Sequence, residues 1–197
     1  VLFEDFMNSQ GARDEYWEQK YEMWPLFRDA TPNSVHQAIY HLERVGKVEM
    51  VVTQNIDGLH RRAGTSDDRL VELHGTNSMV ECMSCHGFTE SGVHMDRYSR
   101  TRQAPICSCG GYLKPATISF GQNLRSLDLA RVERCLGKCD LVVALGTTLS
   151  VYPAASFPLI AANKGVPYVV INRGVTDHDG HPSVSLRIED DVMEIYP

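Results

Sequence analysis

Apolar and polar residues repeat with two different periods along the chain, and these periods predict its helices and strands. Residues 12–28 carry aromatic side chains at helical intervals, which predicts a helix whose aromatic side packs in a core. A second helix is predicted to start within residues 31–34 and to stop near Gly46, because a helix start tolerates an early proline and glycine commonly ends helices. Short apolar segments at residues 48–53 and 70–73 predict strands.

From residue 116 onward, predicted strands and helices alternate. The strands lie at residues 116–120, 141–145, 168–171 and 184–188, and the helices at 124–138, 153–164 and 190–195. Residues 141–145 are apolar throughout, which is typical of a strand buried on both faces. The alternation predicts an α/β fold with a Rossmann-like, doubly wound parallel sheet, in which ligands bind at the carboxyl ends of the strands.

Residues 76–115 interrupt this alternation. They are polar, contain four cysteines and have few periodic apolar positions, so we interpret them as a small inserted module. The sequence therefore predicts three regions along the chain. Residues 1–75 form the first part of the Rossmann-like domain with a helical segment, residues 76–115 the module, and residues 116–197 the second part of the domain.

The composition narrows the possible functions. The 197 residues are 43% hydrophobic and 22% charged, as expected of a globular domain large enough to need no disulfides. The net charge of −6 argues against a nucleic-acid-binding face. No apolar run approaches the roughly 18 residues of a membrane span, and nothing resembles a signal peptide. We therefore expect neither nucleic acid nor a membrane among the partners.

The chain has six cysteines, which without a secretory signal point to metal binding or catalysis in a reducing compartment. Cys135 and Cys139 lie four residues apart near the end of a predicted helix, so we interpret them as core residues.

The other four cysteines form two pairs. Cys82 and Cys85 make a C-x-x-C knuckle, and Cys107 and Cys109 make a C-x-C pair roughly twenty residues later. This arrangement suits one structural zinc ion with four sulfur ligands, which leaves no open catalytic position. Two alternatives stay open at lower rank: unrelated buried thiols, and a redox dithiol at Cys82 and Cys85.

Polar residues follow several predicted strands, where an α/β sheet binds its ligands. Taken alone, asparagine and aspartate at such turns often cap the next helix, and a lone histidine is more often structural than catalytic. Several such strand ends in one sheet favour a shared crevice, although the G-x-G-x-x-G fingerprint is absent. The candidate residues are Gln54, Asn55, Ile56, Asp57, His74, Gly146, Thr147, Thr148, Asn172 and Arg173.

Together these motifs resemble the sirtuin family of NAD-dependent protein deacylases. The resemblance covers nearly the whole chain in the family's order, and the aromatic segment near residues 16–27 is similar to the class II branch, which has bacterial and mitochondrial members. The motifs are Thr53–His60, Glu72–Gly75, the cysteine module, Phe120–Gln122, Gly146–Pro153 and Ile171–Arg173.

The resemblance implies roles for these residues toward NAD. His74 would be the general base that activates a ribose hydroxyl, a step that suits an imidazole because histidine titrates near neutral pH. Asn55 and Asp57 would act in catalysis and line the nicotinamide pocket. The remaining contacts to NAD would come from Gln54, Ile56, Gly146, Thr147, Thr148, Asn172, Arg173 and Val192.

The resemblance also implies a protein substrate. An acyl-lysine peptide would lie as an added strand along Ile118, Phe120 and Gly121 on one side and Val151 on the other, a mode that tolerates many sequences. The reaction would remove acetyl or longer acyl groups from lysine and give nicotinamide and O-acyl-ADP-ribose. The expected compartment is the cytoplasm in a bacterium, or the mitochondrial matrix in a eukaryote.

Two departures from the family pattern keep other functions open. The family's first strand and Gly-rich phosphate loop have no counterpart and would precede Val1, and Gln122 replaces a glutamate. One alternative is protein ADP-ribosyl transfer or NAD hydrolysis in the same pocket. The other is an inactive fragment that acts only as a binding module.

Overall fold

The computed structural model describes residues 1–195, and the chain divides into two compact units. The first unit comprises Val1–Thr31, Thr53–Leu59 and Glu72–Arg125; the second comprises Pro32–Val52, His60–Val71 and the chain from Ser126 onward. The helices are α1 (Phe3–Asn8), α2 (Gln10–Asp29), α3 (Ser34–Arg44), α4 (Leu59–Ala63), α5 (Ser91–Thr101), α6 (Ser126–Leu136), α7 (Ser156–Ala162) and α8 (Val192–Ile195). The strands are β1 (Val51–Thr53), β2 (Leu70–Glu72), β3 (Gly75–Cys82), β4 (Phe88–Glu90), β5 (Leu113–Thr117), β6 (Val142–Leu145), β7 (Tyr168–Ile171) and β8 (Leu186–Ile188).

The core of the first unit is aromatic, as the pattern of residues 12–28 predicts. Trp17 of α2 is fully buried, stacks on Tyr98 of α5 with ring centroids 6.0 Å apart, and donates its indole N–H to the Leu113 carbonyl at 3.0 Å. Val80 and Cys82 of β3 belong to the same core. The cysteine-bearing segment therefore shares its hydrophobic core with the aromatic helix.

The sheet of the first unit is antiparallel, in the order β4-β3-β5. The pairing of β3 with β5 runs from Gly75 opposite Thr117 to Cys82 opposite Leu113. The predicted strand at residues 116–120 is therefore wrong in both position and sheet. It ends at Thr117 because its partner β3 begins at Gly75, and the chain then turns, with the Gln122 amide donating to the Ser119 carbonyl at 2.9 Å.

The sheet of the second unit is parallel, in the order β6-β7-β8, which confirms the predicted parallel arrangement. Tyr168 and Val170 of β7 are fully buried and pack with Ala155. The prediction that residues 141–145 are buried on both faces is wrong, since Leu141 is 49% exposed and Val143 40% exposed. The reason is that β6 is an edge strand within the described residues, where it pairs with β7 alone.

Several element ends differ from the predicted ones by a few residues. β1 begins at Val51, α7 at Ser156 and α8 at Val192, each later than the pattern predicts. The start of α3 is confirmed: the Asn33 side chain accepts a hydrogen bond from the His36 amide at 3.1 Å, which caps the helix. None of the helices in residues 1–195 combines the length and apolarity needed to cross a membrane.

Replacing Trp17 tests the core of the first unit. We expect Trp17→Ala to lower the free energy of unfolding by about 3–5 kcal/mol, because it leaves a large cavity. Trp17→Phe should cost less, since it removes mainly the hydrogen bond to the buried Leu113 carbonyl. Leu26, which is 72% exposed on the same helix, provides the control; Leu26→Ala should change stability by no more than about 0.5 kcal/mol. Equal losses for the Trp17→Ala and Leu26→Ala variants in chemical denaturation would contradict this assignment.

Candidate active site and metal site

The four paired cysteines converge on one point in the first unit. Their sulfur atoms all lie within 4.8 Å of one another. The Cys82 and Cys109 sulfurs are 3.5 Å apart and the Cys85 and Cys107 sulfurs 3.9 Å apart. A tetrahedral zinc ion with Zn–S bonds of about 2.3 Å separates its sulfur ligands by about 3.8 Å. The donor set and its spacing therefore fit a four-coordinate zinc ion.

Backbone amides help to form this cluster. Hydrogen bonds from the amides of Cys85 and Ser84 lower the pKa of the Cys82 thiol to about 6. The Gly111 amide lowers the pKa of Cys109, but the neighbouring thiols outweigh it and raise that pKa to about 12. Four thiolates therefore repel one another without a cation, and a dication would remove that cost.

Gly110 and Gly111, which follow the second pair of cysteines, are each required for a different structural reason. Gly110 adopts a positive φ of 87°, a conformation that glycine takes at little steric cost. Gly111 leaves room for the cluster, because a Cβ there would lie 2.7 Å from the Cys82 sulfur.

His74 lies in the first unit, two residues after the end of β2, and its ring is oriented by a backbone carbonyl. Its Nδ1 is 3.1 Å from the Gln54 carbonyl oxygen. A carbonyl oxygen can only accept, so Nδ1 carries the proton and Nε2 is the basic nitrogen of the neutral ring. The main chain of His74 is held as well, since the Ile118 amide donates to its carbonyl at 2.8 Å.

Gly75 allows the chain beside His74 to approach β5 closely. It has a positive φ of 76°, and a Cβ at this position would lie 2.0 Å from the Ala116 carbonyl oxygen. No side chain fits there, so the contact between backbones sets the position of His74.

The turn after β1 carries the amide and carboxylate candidates. Asn55 has an exposed side chain, and its backbone N–H donates to the Thr53 hydroxyl at 3.1 Å. Asp57 accepts from the Leu59 amide at 2.9 Å and so caps α4, which was the alternative interpretation of this residue. The carbonyl of Ile56 accepts from the backbone amide of Asn77 at 2.8 Å, which fixes the turn beside β3, the strand that follows His74.

The segment predicted to bind a peptide forms a turn after β5. Phe120 is 79% exposed, and its carbonyl accepts from the Phe3 amide at 3.0 Å. Gly121 has a positive φ of 83°. The Gln122 side chain accepts from the Ser119 amide at 3.2 Å, which needs only an oxygen, so a glutamine serves this turn as well as a glutamate would.

The second unit carries the candidates at the ends of β6 and β7. Gly146 has a positive φ of 59° and lies beside Val192, whose Cγ2 is 3.7 Å from where a Gly146 Cβ would be. The Thr147 hydroxyl accepts from the Leu149 amide at 3.1 Å, and the Thr148 and Ser150 hydroxyls are 2.8 Å apart. Gly146, Thr147 and Thr148 thus form a polar turn next to α8.

Asn172 and Arg173 begin a loop with its own hydrogen-bond network. Asn172 is buried, and its side-chain nitrogen donates to the carbonyls of Arg173 and Gly174, each at 3.2 Å. The exposed Arg173 side chain comes within 4.0 Å of Asp191 at the start of α8. Val151, also in the second unit, is exposed.

Sequence reasoning missed two residues that hold this loop. Arg187 of β8 donates to the carbonyls of Asn172 and Gly174 at 3.0 and 2.6 Å, and to Asp179 at 2.7 Å. That hydrogen bond from Arg187, helped by Thr176, lowers the pKa of Asp179 to about 2. Neither residue belongs to a motif, so only the folded chain reveals their contribution.

The structure divides the candidate residues between its two units. The first unit brings His74 together with the turn after β1 and with the start of the segment at Ile118, while the four cysteines cluster at the far end of β3. The second unit brings Gly146, Arg173 and Val192 together around the start of α8.

Comparisons with known proteins identify the family of the chain. The family model described as the Sir2 family matches residues 2–153. The NAD-dependent protein deacetylase of Rhodopseudomonas palustris is 39% identical, over 91% of this chain and 71% of that protein. The mitochondrial NAD-dependent protein lipoamidase sirtuin-4 of Bos taurus is 33% identical, over 92% of this chain and 66% of that protein. A solved Sir2 bound to an acetylated peptide superposes with a TM-score of 0.88 at 31% identity, covering 98% of this chain and 78% of that one.

The cysteine cluster predicts a measurable metal content. We expect about one zinc ion per purified chain by elemental analysis, because four convergent sulfurs complete a tetrahedral site. Cys109→Ser should lose the metal. Cys139→Ser should retain it, because Cys139 lies outside the cluster. A stably folded protein without zinc would contradict the assignment.

Replacing Gly75 tests the close backbone contact beside His74. Both Gly75 and Gly165 have a positive φ, but a Cβ at Gly165 meets nothing within 4 Å. Gly165→Ala should therefore cost only backbone strain, about 1 kcal/mol, whereas Gly75→Ala should cost at least about 2 kcal/mol more. Chemical denaturation measures both changes. Similar losses for the two variants would show that Gly75 is needed only for its backbone conformation.

Proposed function

The chain belongs to the Sir2 family, and from this premise we propose that it is an NAD-dependent protein deacylase. It removes acetyl or longer acyl groups from protein lysines and yields nicotinamide, the free lysine and O-acyl-ADP-ribose. In this sense it is a transferase, since the acyl group passes to the ADP-ribose. The substrate class rests on relatives named as deacetylases and on a related structure bound to an acetylated peptide.

The observation that carries the proposal is the orientation of His74. Its Nδ1–H is held by the Gln54 carbonyl, which leaves Nε2 able to accept a proton from a hydroxyl. General-base catalysis requires this tautomer, and a fixed ring avoids the entropic cost of orienting it during the reaction. We assign His74 as the general base toward a ribose hydroxyl of NAD.

The turn after β1 is proposed to bind the nicotinamide side of NAD. Asn55 offers an exposed amide, and Ile56 offers partly buried apolar surface. Asp57 caps α4 through one oxygen, and in our proposal it also orients the nicotinamide amide. Gln54 acts through its carbonyl on His74 and lies beside the ribose. When bound, NAD would supply a sugar carbon that loses nicotinamide and receives the acyl oxygen of the lysine.

The adenosine side of NAD is assigned to the second unit. The polar turn of Gly146, Thr147 and Thr148 offers hydroxyls and a glycine without a side chain, which suit phosphate and ribose oxygens. Val192 provides apolar surface for the adenine. Arg173 provides an exposed cation for the ribose and phosphates, and Asn172 holds the loop in place by its internal hydrogen bonds.

The acyl-lysine peptide is assigned to main-chain groups near Ile118, Phe120 and Gly121, with Val151 as a further contact. Phe120 and Val151 are both exposed, so each is accessible to a bound peptide. The zinc ion at Cys82, Cys85, Cys107 and Cys109 is structural. We propose neither a nucleic acid nor a membrane as a binding partner.

The cellular compartment of the protein depends on the type of organism that produces it. Deacetylases of bacteria and a mitochondrial sirtuin are both among the relatives. We propose the cytoplasm for a bacterial protein and the mitochondrial matrix for a eukaryotic one. The region boundaries at residues 75 and 115 also stay predictions.

Incubation with NAD and a mixture of acyl-peptides tests the proposal. Mass spectrometry should show acyl loss from the peptides together with O-acyl-ADP-ribose. His74→Ala should reduce turnover by a factor of about 10²–10⁴, the usual contribution of a general base. His41→Ala changes an exposed histidine on α3 and should leave turnover unchanged.

The products also separate the competing functions. A peptide that gains ADP-ribose would identify a transferase of ADP-ribose, and release of nicotinamide without change in any peptide would identify an NAD hydrolase. Binding of NAD or peptide without any product would identify a binding module. Full turnover by the His74→Ala variant would remove His74 from the catalytic role.

A further inference from the structure

Lys114 is a buried lysine that no part of the proposed reaction uses. It lies on β5 opposite Glu81, and only 1% of its surface is exposed. Lysine is almost never fully buried unless its ammonium group is paired. Here the Nζ atom donates to two backbone carbonyls of its own strand, that of Thr117 at 2.5 Å and that of Pro115 at 3.5 Å.

Thr117, the main acceptor, is held from a second side. The Tyr16 hydroxyl is 3.0 Å from the Thr117 side-chain oxygen, and Thr117 itself is buried. The Lys114 ammonium also lies 5.2 Å from the centre of the Tyr16 ring, within the range of a cation–π interaction. Lys114 and Tyr16 thus form a clamp that fixes both the carbonyl and the side chain of one residue at the end of β5.

Two backbone contacts, one at Gly75 and one at Ile118, connect this clamp to His74. Thr117 is the residue opposite Gly75, whose lack of a side chain lets it touch the backbone of Ala116 and Thr117. The next amide, of Ile118, donates to the His74 carbonyl at 2.8 Å. A shift of Thr117 would therefore move both His74 and the segment from Ile118 to Gly121.

We propose that Lys114 is a positioning residue of the deacylase: with Tyr16 it clamps Thr117 so that the acyl-peptide segment keeps its place beside His74. The proposal rests on the proposed function for its kinetic consequences. Its structural consequence, a clamp that rigidifies the end of β5, can be measured without any activity.

The charge on Lys114 depends on its surroundings. Burial is the main cause that lowers the pKa of Lys114 to about 7, and repulsion by the charges of Lys20 and Arg125 adds to it. Attraction by Glu81 acts in the opposite direction and raises the pKa. An unfolded lysine keeps a pKa near 10.5, so between about pH 7 and 10.5 the unfolded chain binds the extra proton and the folded state gains stability as pH rises. Both forms of the amine can donate to the Thr117 carbonyl, so the clamp persists on either side of neutral pH.

Lys114→Met tests the clamp, because methionine has a similar length and flexibility without the ammonium group. Lys20→Met is the matched control. Lys20 is also partly buried beside the Tyr16 ring, at 5.5 Å, but it donates to Asn77 instead of Thr117. Tyr16→Phe removes the other half of the clamp and serves as the second variant.

Amide hydrogen exchange and steady-state kinetics read out the result. In Lys114→Met, and more weakly in Tyr16→Phe, we expect the Ile118 amide to exchange about tenfold faster, which corresponds to the loss of one hydrogen bond. The KM for the acyl-peptide should rise about threefold to tenfold, with less than a twofold change in the KM for NAD. The stability of the protein relative to Lys114→Met should rise from pH 7 to pH 10. Lys20→Met should reproduce neither the exchange nor the KM effect.

The outcomes distinguish the two proposals. Unchanged exchange at Ile118 in both clamp variants overturns the positioning role, whatever the activity. Faster exchange with an equal rise in both KM values also overturns it, because the effect would then be general loosening of the fold. If the unmodified protein deacylates no peptide while exchange still responds to Lys114→Met, the proposed function fails and the clamp stands.

Discussion

The antiparallel pairing of β3 with β5 is the constraint on which the first unit depends. At one end it joins Gly75 to Thr117 beside His74, and at the other it joins Cys82 to Leu113 beside the cysteine cluster. Trp17, at the centre of the aromatic core, is tied to the same ladder through the Leu113 carbonyl. The cysteine cluster, the core and the candidate base are therefore all connected to this one strand pair.

In both units, the side chains that hold the backbone differ from those that would contact ligands. Buried or partly buried polar groups hold the backbone, while most of the groups that would touch ligands are exposed or partly exposed. In the first unit Lys114 fixes Thr117, and in the second Arg187 fixes the loop that begins at Asn172. Such preorganisation suits a reaction in which one imidazole must meet a hydroxyl in a set orientation, since no free energy is then spent on ordering the site.

Local sequence patterns correctly predicted those features that depend on residues close together in the sequence. The helix over residues 12–28, the parallel strands near residues 168–171 and the convergence of four cysteines are confirmed, because each follows from short-range periodicity or ligand spacing. The strand at residues 116–120 was placed wrongly because its true extent depends on Gly75, some forty residues earlier. The exposure of Val143 depends on which strands lie beside β6.

By itself, the sequence indicated the family and its class of chemistry through motifs that resemble the sirtuins, and it supplied the candidate residues, since these are short local segments. Only the tertiary structure decided how those residues act. The tautomer of His74 depends on the Gln54 carbonyl, the loop at Asn172 on Arg187, and the end of β5 on Lys114 and Tyr16. Each of these is a hydrogen bond between segments distant in sequence or to a backbone carbonyl. Its geometry exists only after folding, so no residue pattern encodes it.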